Sequence, residues 1–106
     1  MIKLFEEYNE YYTETSRREF CDATILEFTP EEIKYLSQLY KTINFFYRES
    51  IYRKNKWPKD DIIISIYKLK DEWYILSVEP ETHQSYSAKY YKCDQMEGLV
   101  KLLDIL

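Results

Sequence analysis

Glycine is almost missing from this chain. Gly98 is the only one in 106 residues, beside three prolines, two cysteines and one histidine. Each shortage excludes something. A single glycine cannot build a glycine-rich phosphate loop. Two cysteines without a Cys-x-x-Cys pair, Cys21 and Cys93, make with His83 a poor zinc set. Little glycine and proline beside 45% apolar residues excludes disorder by composition. No apolar run approaches the ~20 residues of a membrane-spanning helix. Met1-Ile2-Lys3-Leu4-Phe5 runs straight into Glu6-Glu7, so no signal peptide is expected. The thiols are therefore expected to be free in a reducing cytoplasm, with one long-range disulfide as the alternative. A formal net charge of -4 argues against a general duplex-nucleic-acid binder but leaves room for a local basic patch.

Tyrosine is what the chain has in plenty. Aromatic residues make up 18%, with 12 Tyr against 5 Phe and 2 Trp. A tyrosine ring can fill a core while its hydroxyl meets water or a partner, so this abundance fits a half-wet interior or an adhesive surface. The length suits one domain, 1–106, that buries about 65% of its unfolded surface without help from metals or bridges.

Residues 2 to 13 have an amphipathic helical pattern, with Leu4, Phe5, Tyr8, Tyr11 and Tyr12 on one stripe. Ser16-Arg17-Arg18-Glu19 matches a capping box and predicts a short helical turn around Phe20 and Cys21. Ala23 to Phe28 is β-prone. Thr29-Pro30-Glu31-Glu32 is the strongest helix start in the chain. The stripe of Ile33, Leu36, Leu39, Tyr40, Ile43 and Tyr47 then predicts a helix from Pro30 to about Tyr47. Its C-terminal end competes with a strand, because Ile43 to Tyr47 has high β-propensity. Arg48 to Lys59, with Pro58, is expected to be an exposed loop.

A β-meander and a helix follow. Ile62 to Leu69 is dense in β-branched residues and is expected to be central. Lys70-Asp71-Glu72 makes a turn, Trp73 to Val78 a second strand ended by Pro80, and Tyr86 to Lys92 a third. Asp94 and Glu97 are placed to cap a helix that buries Met96, Leu99, Val100, Leu103 and Leu106. The fold class expected is α+β: an antiparallel sheet of three to four strands, helices packed on one face, and the C-terminal helix after the last strand.

Lys70-Asp71-Glu72-Trp73-Tyr74, followed by Tyr90-Tyr91-Lys92-Cys93-Asp94-Gln95-x-Glu97-Gly98-Leu99 and a leucine-rich helix, resembles small uncharacterised proteins of large DNA viruses. Phe28-Thr29-Pro30-Glu31-Glu32-Ile33 is similar too, and the likeness covers mainly the last third of the chain. It implies a small virion or host-facing protein, in a virion or the host cytoplasm, and brings no activity or site residue with it.

The binding candidates are basic and aromatic. Tyr52, Arg53, Lys54, Lys56 and Trp57 crowd the expected loop, and Tyr86 and Tyr91 stand on the last strand, an interface if that strand is outermost. The reading they support is a non-enzymatic protein that contacts another protein, host or viral, or a second copy of itself. The alternative is a nucleic-acid-binding accessory protein, its lysines and arginines on phosphates and an aromatic ring on a base. No cofactor, metal or membrane is expected. A third reading makes Cys93 a nucleophile activated by the helix start beside it. It lacks a base, since His83 is the one imidazole. The carboxylate pairs Asp60-Asp61, Asp71-Glu72 and Glu79 with Glu81 fall at expected turns and strand ends, without a convergent motif.

Overall fold

The structure is a computed structural model that describes residues 11–55, 61–70, 73–80 and 88–106. Within them, seven strands form one antiparallel sheet: β1 (Thr13–Thr15), β2 (Ile25–Leu26), β3 (Ile43–Phe45), β4 (Ser50–Asn55), β5 (Asp61–Leu69), β6 (Tyr74–Pro80) and β7 (Lys89–Cys93). Three helices accompany them: α1 (Arg17–Phe20), α2 (Pro30–Leu39) and α3 (Met96–Ile105). The strand order is β1-β7-β6-β5-β4-β3, and β2 pairs with the end of β5. The α+β class and the C-terminal helix after the last strand stand. The three to four strands expected become seven: the short segment 13–15 and the β-prone segments 25–26 and 43–45 each complete a ladder, and residues 50–55, inside the expected loop, form β4.

Strand register fixes the two faces. Ser50, Ile66, Leu76 and Tyr91 are successive cross-strand partners, as are Tyr52, Ile64 and Val78. These side chains share one face. Here Ile64, Ile66 and Leu76 form the main core with Leu36 and Tyr40 of the α2 end and with Leu99, Leu102 and Leu103 of α3. Each fully buried leucine or isoleucine stabilises the fold by roughly 1.5–3 kcal/mol relative to an exposed one.

Helix α2 begins where the capping box predicts. The Thr29 hydroxyl accepts from the Glu32 N–H at 3.1 Å, and the Glu32 carboxylate accepts from the Thr29 N–H at 2.8 Å. It stops at Leu39, short of the expected Tyr47. Tyr40 turns extended (φ -128°, ψ 96°) and donates through its hydroxyl to Val100 O at 3.1 Å and Asp104 Oδ1 at 2.9 Å. Burial, then the Asp104 carboxylate, push the Tyr40 phenol up. Ile43–Phe45 then pairs with Ser50–Tyr52, which satisfies the backbone and buries Ile43.

The remaining starts and stops differ in detail. Ser16 stands before α1 without a side-chain cap bond; the Thr15 hydroxyl donates to Glu19 instead. Helix α3 is preceded by Gln95 rather than Asp94. Pro80 is the last residue of β6, opposite Ile62, rather than its stop. Of the helix expected over 2–13, residues 1–10 lie outside the described residues and Thr13 begins β1. The backbone of Tyr11 passes directly over Gly98, so the lone glycine serves close approach within the chain.

Candidate functional site

Among the described residues, those named from sequence do not converge. Residues 50–55 of the expected loop form β4, a strand between β3 and β5. Successive side chains on a strand point to opposite faces, so Arg53 and Lys54 are separated. Tyr52 packs inward, its ring 5.1 Å from that of Tyr40. Lys54 shares that face and donates to the carbonyls of Leu103 at 2.8 Å and Asp104 at 3.1 Å. Arg53 lies exposed on the other face. Tyr52 and Lys54 thus both have partners within the fold. Lys56 and Trp57 lie outside the described residues, as does Tyr86.

Tyr91 is half-buried, edge-on to Tyr12 with centroids 6.1 Å apart. Burial and the nearby Glu14 push its phenol up. Its strand is not outermost, because β1 covers β7 by pairing Thr13 with Lys92 and Thr15 with Tyr90. The helix start does not activate the thiol of Cys93. Cys93 is buried in the core, and burial, then Asp94, push its thiol up to about 12, away from thiolate. Cys21 is exposed and both cysteines are free, which removes the disulfide alternative. His83 lies outside the described residues. So do Asp60, Asp71, Glu72 and Glu81, one or both members of each carboxylate pair.

The site that the fold does assemble lies on the other face of the sheet. Residues 16–24 cross it as a strap, from the β1 edge to β2. Glu19 N–H to Ser16 O and Ala23 N–H to Phe20 O, both 3.0 Å, hold the strap in two tight turns. The Lys70 N–H donates to Thr24 O at 2.9 Å and ties its far end to the sheet. Phe20 plugs the middle, its ring 5.5 Å from that of Tyr90.

A cleft opens on either side of Phe20. The larger, about 590 Å³, has the apolar floor Leu69 and Ile75, with Phe20 and Trp73 among its lining. Its rim is divided by charge: Glu19 and Asp22 come from the strap, Lys70 and Lys92 from the sheet. Lys92 holds its ammonium 4.1 Å from the Trp73 ring centroid, a cation–π contact that braces the indole while leaving it 39% exposed. The smaller cleft, about 350 Å³, is lined by Arg17, Cys21, Tyr67, Ser77 and Tyr90. Tyr67 donates to Glu49 at 2.8 Å, and burial with that carboxylate pushes its phenol up to about 12.

An apolar floor between two aromatic rings, with a few charged groups at the mouth, suits a single large side chain of a ligand. Sequence reasoning missed Phe20 and Trp73 as a pair. Their approach depends on β1 docking at the far edge, for which no local pattern exists. The one available hint was Phe20 itself, the single aromatic in the polar stretch from Thr13 to Thr24.

Among the described residues, no group of three or more His, Cys, Asp or Glu side chains is placed to hold a metal, and no helix is long and apolar enough to cross a membrane. Comparison with known proteins finds no matching family model, no similar curated protein and no similar solved structure.

Proposed function

We propose that this chain is a non-enzymatic binding protein that captures another protein through the cleft between Phe20 and Trp73. The occupant is an aromatic side chain on an extended segment of the partner. One observation carries the reading: a cleft of about 590 Å³ with an apolar floor and a rim acidic on one side and basic on the other. The volume falls within the range of ligand sites, roughly 300–1,000 Å³. Buried aromatic anchors dominate protein interfaces. The divided rim favours a segment with a basic residue on one flank of the anchor, toward Glu19 and Asp22, and an acidic one on the other, toward Lys70 and Lys92. The resemblance of the Lys70–Tyr74 and Tyr90–Leu99 segments to small proteins of large DNA viruses suggests the setting, a virion or the cytoplasm of an infected cell.

Selection of a displayed random-peptide library tests this. Enriched peptides are expected to carry one aromatic residue between opposite charges. Trp73→Ala should weaken the best of them by about ten-fold or more, while the variant keeps native circular dichroism and a cooperative unfolding transition. Peptides without an aromatic anchor, or binding indifferent to Trp73→Ala, would refute the reading.

A further inference from the structure

Lys92 differs from the other sheltered lysines of this fold. Among the described residues three lysines are half-buried, Lys54, Lys68 and Lys92. Two of them meet oxygens. Lys54 donates to the Leu103 carbonyl at 2.8 Å, and Lys68 pairs with the Glu32 carboxylate at 2.8 Å. Among the described residues the Lys92 ammonium meets neither a carboxylate nor a carbonyl. It lies on the Trp73 ring, 4.1 Å from the centroid.

The sheet fixes this placement. Lys92 stands opposite Thr13 of β1 and Ile75 of β6, so it shares the face of Ile75, the floor of the larger cleft. Trp73 is held at the end of β5, where its carbonyl accepts from the Leu69 N–H at 2.7 Å. A half-buried cation without an oxygen acceptor has lost part of its hydration. An aromatic face returns some of that, but a carboxylate is a far stronger partner. The cleft's own carboxylates do not supply one. Glu19 accepts from the Thr15 hydroxyl and stands with Asp22 on the strap, and neither is ion-paired with Lys92. Lys70, the other cation of the rim, is exposed and stays hydrated, so a carboxylate gains little by meeting it.

We infer that Lys92 determines the specificity of the cleft: its ammonium takes the carboxylate of an Asp or Glu that flanks the partner's aromatic anchor. The inference rests on the cleft reading above and goes a step further, since it assigns the acidic flank to one residue and couples that residue to the indole. The ammonium stays on the ring while it receives the carboxylate. Trp73, which walls the anchor, and Lys92, which reads the anchor's neighbour, therefore act as one unit. A partner with an amide in place of the acid leaves Lys92 as poorly solvated as before and is rejected for that reason.

Repeating the displayed-library selection on the whole chain as wild type, Lys92→Met and Lys92→Arg tests this. Methionine keeps the apolar stem and removes the charge; arginine keeps a cation on the ring. All three should retain native circular dichroism. The wild type and Lys92→Arg are expected to enrich an aromatic anchor flanked by Asp or Glu. Lys92→Met should enrich the same anchor without the acidic preference. For the tightest wild-type peptide, exchanging the acid for its amide should raise Kd about ten-fold with the wild type and leave it nearly unchanged with Lys92→Met. An amide exchange without effect on the wild type overturns the inference and needs no variant. So does an acidic preference that survives Lys92→Met or is lost in Lys92→Arg, while the aromatic anchor persists. Selections in which no aromatic anchor appears overturn the cleft reading itself, and this inference with it.

Discussion

The Lys54 ammonium donates to the Leu103 carbonyl oxygen at 2.8 Å, joining a central strand to the last turn of α3. The Asp104 carbonyl is a second acceptor at 3.1 Å. A cation at a helix C-terminus meets carbonyls that have no partner within the helix, and the negative end of the helix dipole. Lys54→Ala should therefore lower unfolding stability by about 1 kcal/mol. Chemical denaturation measures this. A residue in a mobile binding loop would leave the midpoint where it was.

Gly98 and Tyr11 leave no room for another atom. A Cβ on Gly98 would overlap the Tyr11 carbonyl oxygen and crowd the Tyr11 Cβ at 3.3 Å. In an open helix, alanine for glycine gains about 1 kcal/mol. Here the clash is with backbone, which cannot rotate away. Gly98→Ala is expected to destabilise by about 1–3 kcal/mol. A stabilised variant would show that the segment before β1 is free to lift off α3.

The two thiols should differ sharply in reactivity. Cys21 is exposed on the strap, and Cys93 is 1% exposed in the core with its thiol pushed up to about 12. Titration with a disulfide reagent near neutral pH should find one fast thiol in the native protein and a second only on unfolding. Cys21→Ser should abolish the fast phase and Cys93→Ser should not. A rapidly reacting Cys93 would revive the nucleophile reading.

Glu32 gives the fold a dependence on pH. Its carboxylate accepts from Lys68 at 2.8 Å and from the Tyr74 hydroxyl, so it ties α2 to β5 and β6. Burial alone would raise this carboxyl, but the bonds from Lys68, Tyr74 and Thr29 outweigh it and hold the group below its usual value. A carboxyl held low in the folded state adds stability that is complete above the unfolded-state value and is lost as pH falls through the folded one. The urea midpoint should therefore decline on acidification below the ordinary glutamate range. Glu32→Gln should reduce stability near neutrality and flatten the decline. The same acid slope in both proteins would remove Glu32 from this account.

Two kinds of information meet in this chain. The Thr29–Glu32 capping box, the β-branched run of β5 and the leucine stripe of α3 act between residues a few positions apart. Local chemistry decides them, and they are legible in the sequence. The end of α2 was not. Residues 40–47 satisfy a helical stripe and a strand almost equally, and the tie was broken by Tyr40 reaching Asp104 and by Ile43 pairing with Tyr52. The cleft was not legible either, because Phe20 and Trp73 face one space only once β1 has docked on β7. Order along the chain therefore determined where α2 begins, the central strand β5 and the buried stripe of α3. Tertiary structure alone decided which strand lies at an edge and which aromatic rings share a cavity. Those depend on pairing between distant segments, whose backbone groups are alike and carry no address of their own.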